Sequence, residues 1–186
     1  MSTEIELKAH VQDSKALKAL LFKTAEYSSS FEKEDTYWVS GLALPIPRMR
    51  VRKERRSLHG GSVVQATLAT YKIKEVRGDI EVNEELEFEV NPGQEFEQFL
   101  ESLGFKPGVC KRKQGWAFSY KGIIVELVDV EGLGWFIELE VILAAGSREE
   151  AVEENRRKLL AFLDDLGISR DAIESRYYTE MLYGSG

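Results

Sequence analysis

Residues Glu4-Ile5-Glu6-Leu7-Lys8 alternate charged and apolar side chains. Side chains point to opposite faces along a strand, so Glu4, Glu6 and Lys8 share one face while Ile5 and Leu7 share the other. Near the opposite end of the chain, Ile137-Glu138-Leu139-Glu140-Val141 repeats the alternation. Between them, Arg50 and Arg52, Lys72 and Lys74, Glu85 and Glu87, and Lys111 and Lys113 keep the same two-residue spacing. Strands built this way either turn the charged face to water or close into a barrel with that face inward. For any one pair the solvated face is the ordinary outcome, because exposed cross-strand ion pairs contribute little. The repetition favours the barrel, whose interior would be a channel of interleaved acids and bases suited to a metal-bound polyphosphate.

Composition narrows the ligand. With 186 residues the chain can bury a sizeable core and is expected to form a single domain over 1–186. The formal net charge is −7, which argues against nucleic-acid and membrane-surface binding, since both usually draw on a basic excess. An anionic ligand must therefore meet locally concentrated Lys and Arg. A single cysteine, Cys110, excludes an internal disulfide framework, and His10 and His59 are too few for a histidine-rich metal site. Both histidines are expected at the surface, and Cys110 as a small buried side chain. The N-terminal residues lack a basic-then-apolar leader, and no apolar run approaches the roughly 20 residues of a membrane span. A cytoplasmic location is the expectation.

Read in order, the chain gives a strand over 3–10 and a helix over 14–24, capped by Asp13 or Ser14 and carrying Leu17, Leu20 and Leu21 at helical spacing. Tyr27 to Ser30 reads as a loop, Phe31 to Ser40 as a strand, and Gly41 to Pro47 as a connection. Met49 to Arg52 is a strand. The basic segment Lys53 to Arg56 reads as a loop leading to a turn at Gly60-Gly61. Strands follow over 63–75 and 82–90, then a short helix over 94–102. Three more strands are expected over 105–120, 123–130 and 135–143, with a hairpin turn at Lys121-Gly122. Ser147 and Glu150 have the spacing of a capping box for a helix reaching Leu166, and a last turn or helix falls between Arg170 and Leu182. The sum is an α+β chain with about eight mostly antiparallel strands, predicted to close into a barrel with helices packed outside. Trp38, Trp116 and Trp135 are expected on the barrel exterior, under those helices.

These segments carry a resemblance. The start Glu4-Ile5-Glu6-Leu7-Lys8 is the E-x-E-x-K of the CYTH family, the triphosphate tunnel metalloenzymes, which includes class IV adenylate cyclases and thiamine triphosphatases. Further similar segments follow in order: Asp35-Thr36-Tyr37-Trp38, Arg50-Val51-Arg52, Thr70-Tyr71-Lys72, Glu85-Leu86-Glu87, Lys111-Arg112-Lys113, and Gly132-Leu133-Gly134 leading into Glu138 and Glu140. The Gly-Leu-Gly stretch and the ending Arg176-Tyr177-Tyr178 look most like the class IV cyclase branch. One position departs: many members have an aspartate where this chain has Val128. Glu126, two residues earlier on the same strand face, could supply that carboxylate, whereas Asp129 faces the other way.

The resemblance implies an eight-stranded triphosphate tunnel. Lys8, Arg50, Arg52, Lys72, Lys74, Lys111 and Lys113 would bind the triphosphate, because its oxygens take Lys and Arg donors and Arg can hold two at once. Glu4, Glu6, Glu138 and Glu140 would hold Mg²⁺ or Mn²⁺, with Glu85, Glu87 and Glu126 as further ligands, since these hard cations prefer oxygen. Lys8, Glu6 and Glu138 form the expected catalytic set. The implied reaction is cyclisation of ATP to cyclic AMP and pyrophosphate. Hydrolysis of thiamine triphosphate, inorganic triphosphate or nucleotides is the alternative, and a polyphosphate- or nucleotide-binding module without turnover is a third. A small-molecule triphosphate is the expected partner, and the chain is compatible with a monomer or a homodimer.

Overall fold

The computed structural model describes residues 2–40 and 49–184. Its strands are β1 (Ser2–His10), β2 (Glu26–Ser40), β3 (Met49–Leu58), β4 (Val63–Arg77), β5 (Ile80–Glu89), β6 (Phe105–Tyr120), β7 (Ile123–Val130) and β8 (Gly134–Ala144). They close in the order β1-β5-β4-β3-β2-β6-β7-β8, and every pairing is antiparallel. The helices are α1 (Ser14–Thr24), α2 (Gly93–Ser102), α3 (Glu149–Asp165) and α4 (Tyr178–Tyr183), with a 3-10 turn at Arg170–Ala172. The predicted α+β class and closed eight-stranded barrel are what forms.

The largest apolar cluster lies outside the barrel. Ile5, Leu7 and Ala9 of β1, Val125 and Leu127 of β7, and Ile137 and Leu139 of β8 turn outward and are buried against Leu17 and Leu21 of α1 and Val152, Leu159, Leu160 and Leu163 of α3. Each such Val, Leu or Ile side chain contributes roughly 1.5–3 kcal/mol on burial. On another side, Trp38 and Val51 pack under Leu100 of α2. Trp116 and Trp135 stack with ring centroids 5.6 Å apart, and the Lys18 ammonium of α1 stands over Trp116. The three tryptophans thus sit on the exterior, as expected.

Three local expectations are corrected. Tyr27 to Ser30 belong to β2, because their backbone groups pair with β6 on one side and, from Ser29 on, with β3 on the other. Lys53 to Arg56 are β3 rather than loop, held between β2 and β4. The capping box at Ser147 does not form: its hydroxyl donates to the Ala144 carbonyl at 2.7 Å, and Arg148 takes the N-cap position with no side-chain bond. Glu149 and Glu150 still place negative charge in the first turn of α3, where the helix dipole favours it. Asp13 does cap α1, accepting from the Ala16 amide at 2.9 Å. The expected connection over 41–47 lies outside the described residues. His10 and His59 are exposed as expected, while Cys110 is half-buried.

Gly115 is required where β6 meets β7. A Cβ there would stand 2.1 Å from the Leu127 carbonyl oxygen, and backbone cannot yield as a flexible side chain can. Gly115→Ala is therefore expected to lower the melting temperature by at least about 4 °C, the equivalent of roughly 2 kcal/mol in a chain of this size. Thermal unfolding followed by circular dichroism checks this, and an unchanged midpoint would contradict the close approach.

Candidate active site

The helices and their core cover the outer faces of β1, β7 and β8, and the charged faces of the strands turn inward. The inward side chains line a cavity of about 650 Å³. All fourteen residues singled out from sequence border it: Glu4, Glu6, Lys8, Arg50, Arg52, Lys72, Lys74, Glu85, Glu87, Lys111, Lys113, Glu126, Glu138 and Glu140. Strand parity brings in neighbours that the sequence reading did not single out as site residues, namely Lys33 and Tyr37 on β2, Glu54 and Arg56 on β3, and Glu81 on β5. Buried Asp35 joins them through its ion pairs. The signal for these was present, since Lys33-x-Asp35-x-Tyr37 and Arg50-x-Arg52-x-Glu54-x-Arg56 continue the same alternation. Tyr178, from α4, also lines the cavity and had no comparable signal.

The charges are paired across strands. Arg52 donates to both carboxylate oxygens of fully buried Asp35 at 2.6 and 3.1 Å, and the Lys111 ammonium lies 3.1 Å from the same group. Against the penalty of burial, Arg52, Lys111 and Arg50 together hold the Asp35 carboxyl well below the usual carboxylate range. Lys113 donates to Glu138 at 2.7 and 3.0 Å, and Lys8 donates to Glu81. Lys33 donates to both oxygens of Glu126 at 2.6 and 2.8 Å. Burial pulls the Lys33 ammonium down to about 8, with Glu126 opposing. Glu126 is held down at about 2 despite its own burial, chiefly by Lys33 and Lys113.

One part of the lining has more acid than base. Lys72 Nζ stands 2.6 Å from Glu4, 3.1 Å from Glu85 and 3.7 Å from Glu6. It serves three carboxylates at once, and Glu140 adds a fourth charge nearby. Burial, followed by Glu6, pushes the Glu140 carboxyl up to about 7. Burial also raises Glu4 well above its ordinary value, with Glu140, Glu6 and Glu85 adding to the shift and Lys72 opposing it. Glu6 goes the other way: burial would raise it, but Lys72, Lys74, Lys8 and Lys113 bring it below the usual range.

This donor set fits a divalent cation. Among the described residues no group of three carboxylate, cysteine or histidine side chains stands in a ready metal-holding arrangement, and Lys72 stands between Glu4, Glu6 and Glu85. The oxygens converge on a positive charge, but the charge is an ammonium. A phosphate donor is also ready. Arg50, which lines the cavity, has its Nε buried without a hydrogen-bond partner. Unpaired buried donors of this kind cost stability unless a ligand satisfies them.

At the far end of β1, Tyr178 closes the cavity. Its ring lies 5.6, 5.1 and 5.9 Å from the ammonium groups of Lys8, Lys111 and Lys113, and it packs with Phe136, Val128 and Val130. The position with the departing residue, Val128, is thus an apolar wall under α4 and not a carboxylate site.

The CYTH domain pattern matches residues 2–178. The chain belongs to the CYTH domain family. Among curated relatives, the Methanocaldococcus jannaschii protein named "Putative adenylate cyclase MJ0240" is 28% identical over 182 residues, covering 96% of this chain and 97% of its own. The PH1819 protein of Pyrococcus horikoshii superposes with a TM-score of 0.79 at 26% identity, over 96% of this chain and 97% of that one. A Pyrococcus furiosus protein gives 0.74 at 27% identity, over 95% and 98%. This CYTH barrel therefore has the fold of a family whose members bind triphosphates and are generally divalent-metal dependent. No helix among the described residues is long and apolar enough to cross a membrane.

The acid surplus makes a pH prediction. Glu140 in the folded barrel titrates near 7, above the unfolded carboxylate value of 4.5. Between those values the folded state binds more protons than the unfolded one, so this group costs stability as pH rises from about 4.5 to 7, and the full cost persists above. Without divalent metal, Glu140→Gln is expected to match the parent's melting temperature near pH 4.5 and exceed it by about 2–6 °C at pH 8. A constant difference across that range, measured by scanning calorimetry, would refute the strained carboxylate.

Proposed function

We propose that this CYTH protein is a metal-dependent adenylate cyclase of the class IV type, converting ATP to cyclic AMP and pyrophosphate. The observation that carries the proposal is the division of one cavity into a cation-rich wall, from Arg50 and Arg52 to Lys111 and Lys113, and a carboxylate group around Glu4, Glu6, Glu85 and Glu140. A bare phosphate binder needs the first and is weakened by the second. A nucleotide carried with a divalent cation needs both. The name of the Methanocaldococcus jannaschii relative, at 28% identity over nearly the whole chain, supports the same reading.

In the proposed reaction Arg50, Arg52, Lys72, Lys74, Lys111 and Lys113 neutralise the triphosphate and hold it extended, and the arginines fix orientation through paired donors. Glu4, Glu6, Glu138 and Glu140 would hold Mg²⁺ or Mn²⁺, with Glu85 and Glu87 behind them, and the cation supplies charge stabilisation at the reacting phosphorus. Glu126 keeps Lys33 and Lys113 in place more than it offers a free oxygen. The ribose 3′-oxygen forms a bond to the α-phosphorus, the bond from that phosphorus to the bridging oxygen breaks, and pyrophosphate departs. The 3′-hydroxyl proton passes to a tunnel carboxylate. Glu6 is suited to remain ionised beside the reaction, because the surrounding lysines keep it charged. Lys8 and Lys113 stabilise the departing pyrophosphate charge.

A second reading, hydrolysis of a triphosphate, is favoured by the cluster of Lys8, Lys111 and Lys113 at the closed end, where a terminal phosphoryl group would be held. Chromatographic product analysis separates the two. Incubation with ATP and Mn²⁺ or Mg²⁺ is expected to give cyclic AMP and matching pyrophosphate, whereas orthophosphate and ADP would establish the hydrolase and overturn the cyclase. Glu6→Gln and Glu138→Gln are each expected to lower kcat at least about 100-fold while folding normally. Lys72→Ala should chiefly raise KM. Unchanged kinetics in all three would sink the tunnel assignment.

A further inference from the structure

The inward faces do not stay charged along their whole length. On β4 the inward series runs Val64, Ala66, Leu68, Thr70, Lys72, Lys74, passing from apolar to cationic along one strand. On β7 Ile124 precedes Glu126, and on β8 Ile142 follows Glu138 and Glu140. The registers place these apolar residues at one end. Ile142 pairs with Glu4, Ile124 with Glu140, and Leu68 with Arg52 and Glu89. Tyr178 and Lys8 stand at the other, closed end.

Val64, Ile124 and Ile142 border the same cavity as the charged groups, yet they are 48%, 37% and 56% exposed. Inorganic triphosphate has nothing to gain from them, because each of its oxygens seeks a donor. An organic ring laid on them would remove apolar surface from water, which favours binding. The only aromatic side chains bordering the cavity among the described residues are Tyr37 and Tyr178, and both stand near Lys111, away from this mouth.

We propose that this aliphatic collar, formed by Val64, Leu68, Ile124 and Ile142, receives the ring-bearing end of the substrate and makes the tunnel selective for organic over inorganic triphosphates. The proposal rests on the triphosphate reading above. It also sets the direction of the substrate: ring at the collar, first phosphate beside the Glu4, Glu85 and Glu140 carboxylates, last phosphate toward Lys8 and Lys113. The carboxylates best placed to carry a cation then lie by the α-phosphorus, where cyclisation takes place.

Isothermal titration calorimetry in Ca²⁺, with α,β-methylene ATP and with inorganic tripolyphosphate as separate ligands, tests the collar on the full chain. Ile124→Ser combined with Ile142→Ser is expected to weaken the nucleotide analogue about tenfold or more while changing tripolyphosphate affinity less than about twofold. Val64→Ser should act in the same direction, and matched melting temperatures would show that all variants fold. Equal losses for both ligands, or undiminished nucleotide binding in both variants, would overturn the collar while leaving the triphosphate tunnel standing. A parent protein that binds neither ligand would overturn the tunnel reading and the collar with it.

Discussion

Charge buried inside a protein must be paired, and this barrel is arranged around that requirement. Two like charges about 4 Å apart cost roughly 4 kcal/mol at an effective dielectric near 20, so a purely cationic tunnel would oppose its own closure. The strands answer by alternating sign around the wall, so that Arg52 meets Asp35, Lys113 meets Glu138 and Lys33 meets Glu126. Such pairs seldom repay their desolvation in full. The fold is held instead by the outer layer, where α1 and α3 cover the apolar faces of β1, β7 and β8. Stability and function are thus assigned to opposite faces of the same strands.

Pairing is deliberately incomplete in two places, and they are complementary. Around Lys72, carboxylates outnumber ammonium groups, and burial, with the neighbouring carboxylates adding to it, raises Glu4 and Glu140. Beside that group, Arg50, 3.8 Å from Glu85, has its Nε without a partner. A cation relieves the first, and phosphate oxygens relieve donors of the second kind. A metal-bound polyphosphate brings both in one ligand, and a free anion or a free cation would correct only half of the imbalance. That coupling is the physical reason for reading the cavity as a site for the pair.

Most of this was legible in the sequence because a two-residue period survives any twist or tilt of the strands. Glu4-x-Glu6-x-Lys8 and Glu138-x-Glu140 declare one face, and their apolar partners declare the other. The cross-strand pairs were not legible, since Lys33 and Glu126 are 93 residues apart and meet only because β2 and β7 both pair with β6, one on each side. Tyr27 to Ser30 looked like a loop because serines disfavour a strand locally, and pairing on both edges overrode that preference. The expected capping box failed for a similar reason, as Ser147 found a nearer acceptor in the Ala144 carbonyl. Tyr178 was beyond reach because its role depends on where a C-terminal segment docks, not on a periodic pattern.

That docking gives Val128 a physical meaning. An aspartate at this inward position would face Phe31, Phe136 and Tyr178, with which Val128 forms one buried apolar cluster. A charge there would be buried against rings, whereas valine lets α4 seat Tyr178 over the lysines. The nearest inward carboxylate on β7, Glu126, is already claimed by Lys33 and Lys113, so it compensates in charge without standing free as a ligand. The remaining acid is concentrated on β1, β5 and β8, at Glu4, Glu85 and Glu140, on the side of the open collar. With Val128 at this position, the acid that Lys33 and Lys113 do not claim stands toward the mouth, which is where a ring-first substrate would present its α-phosphorus.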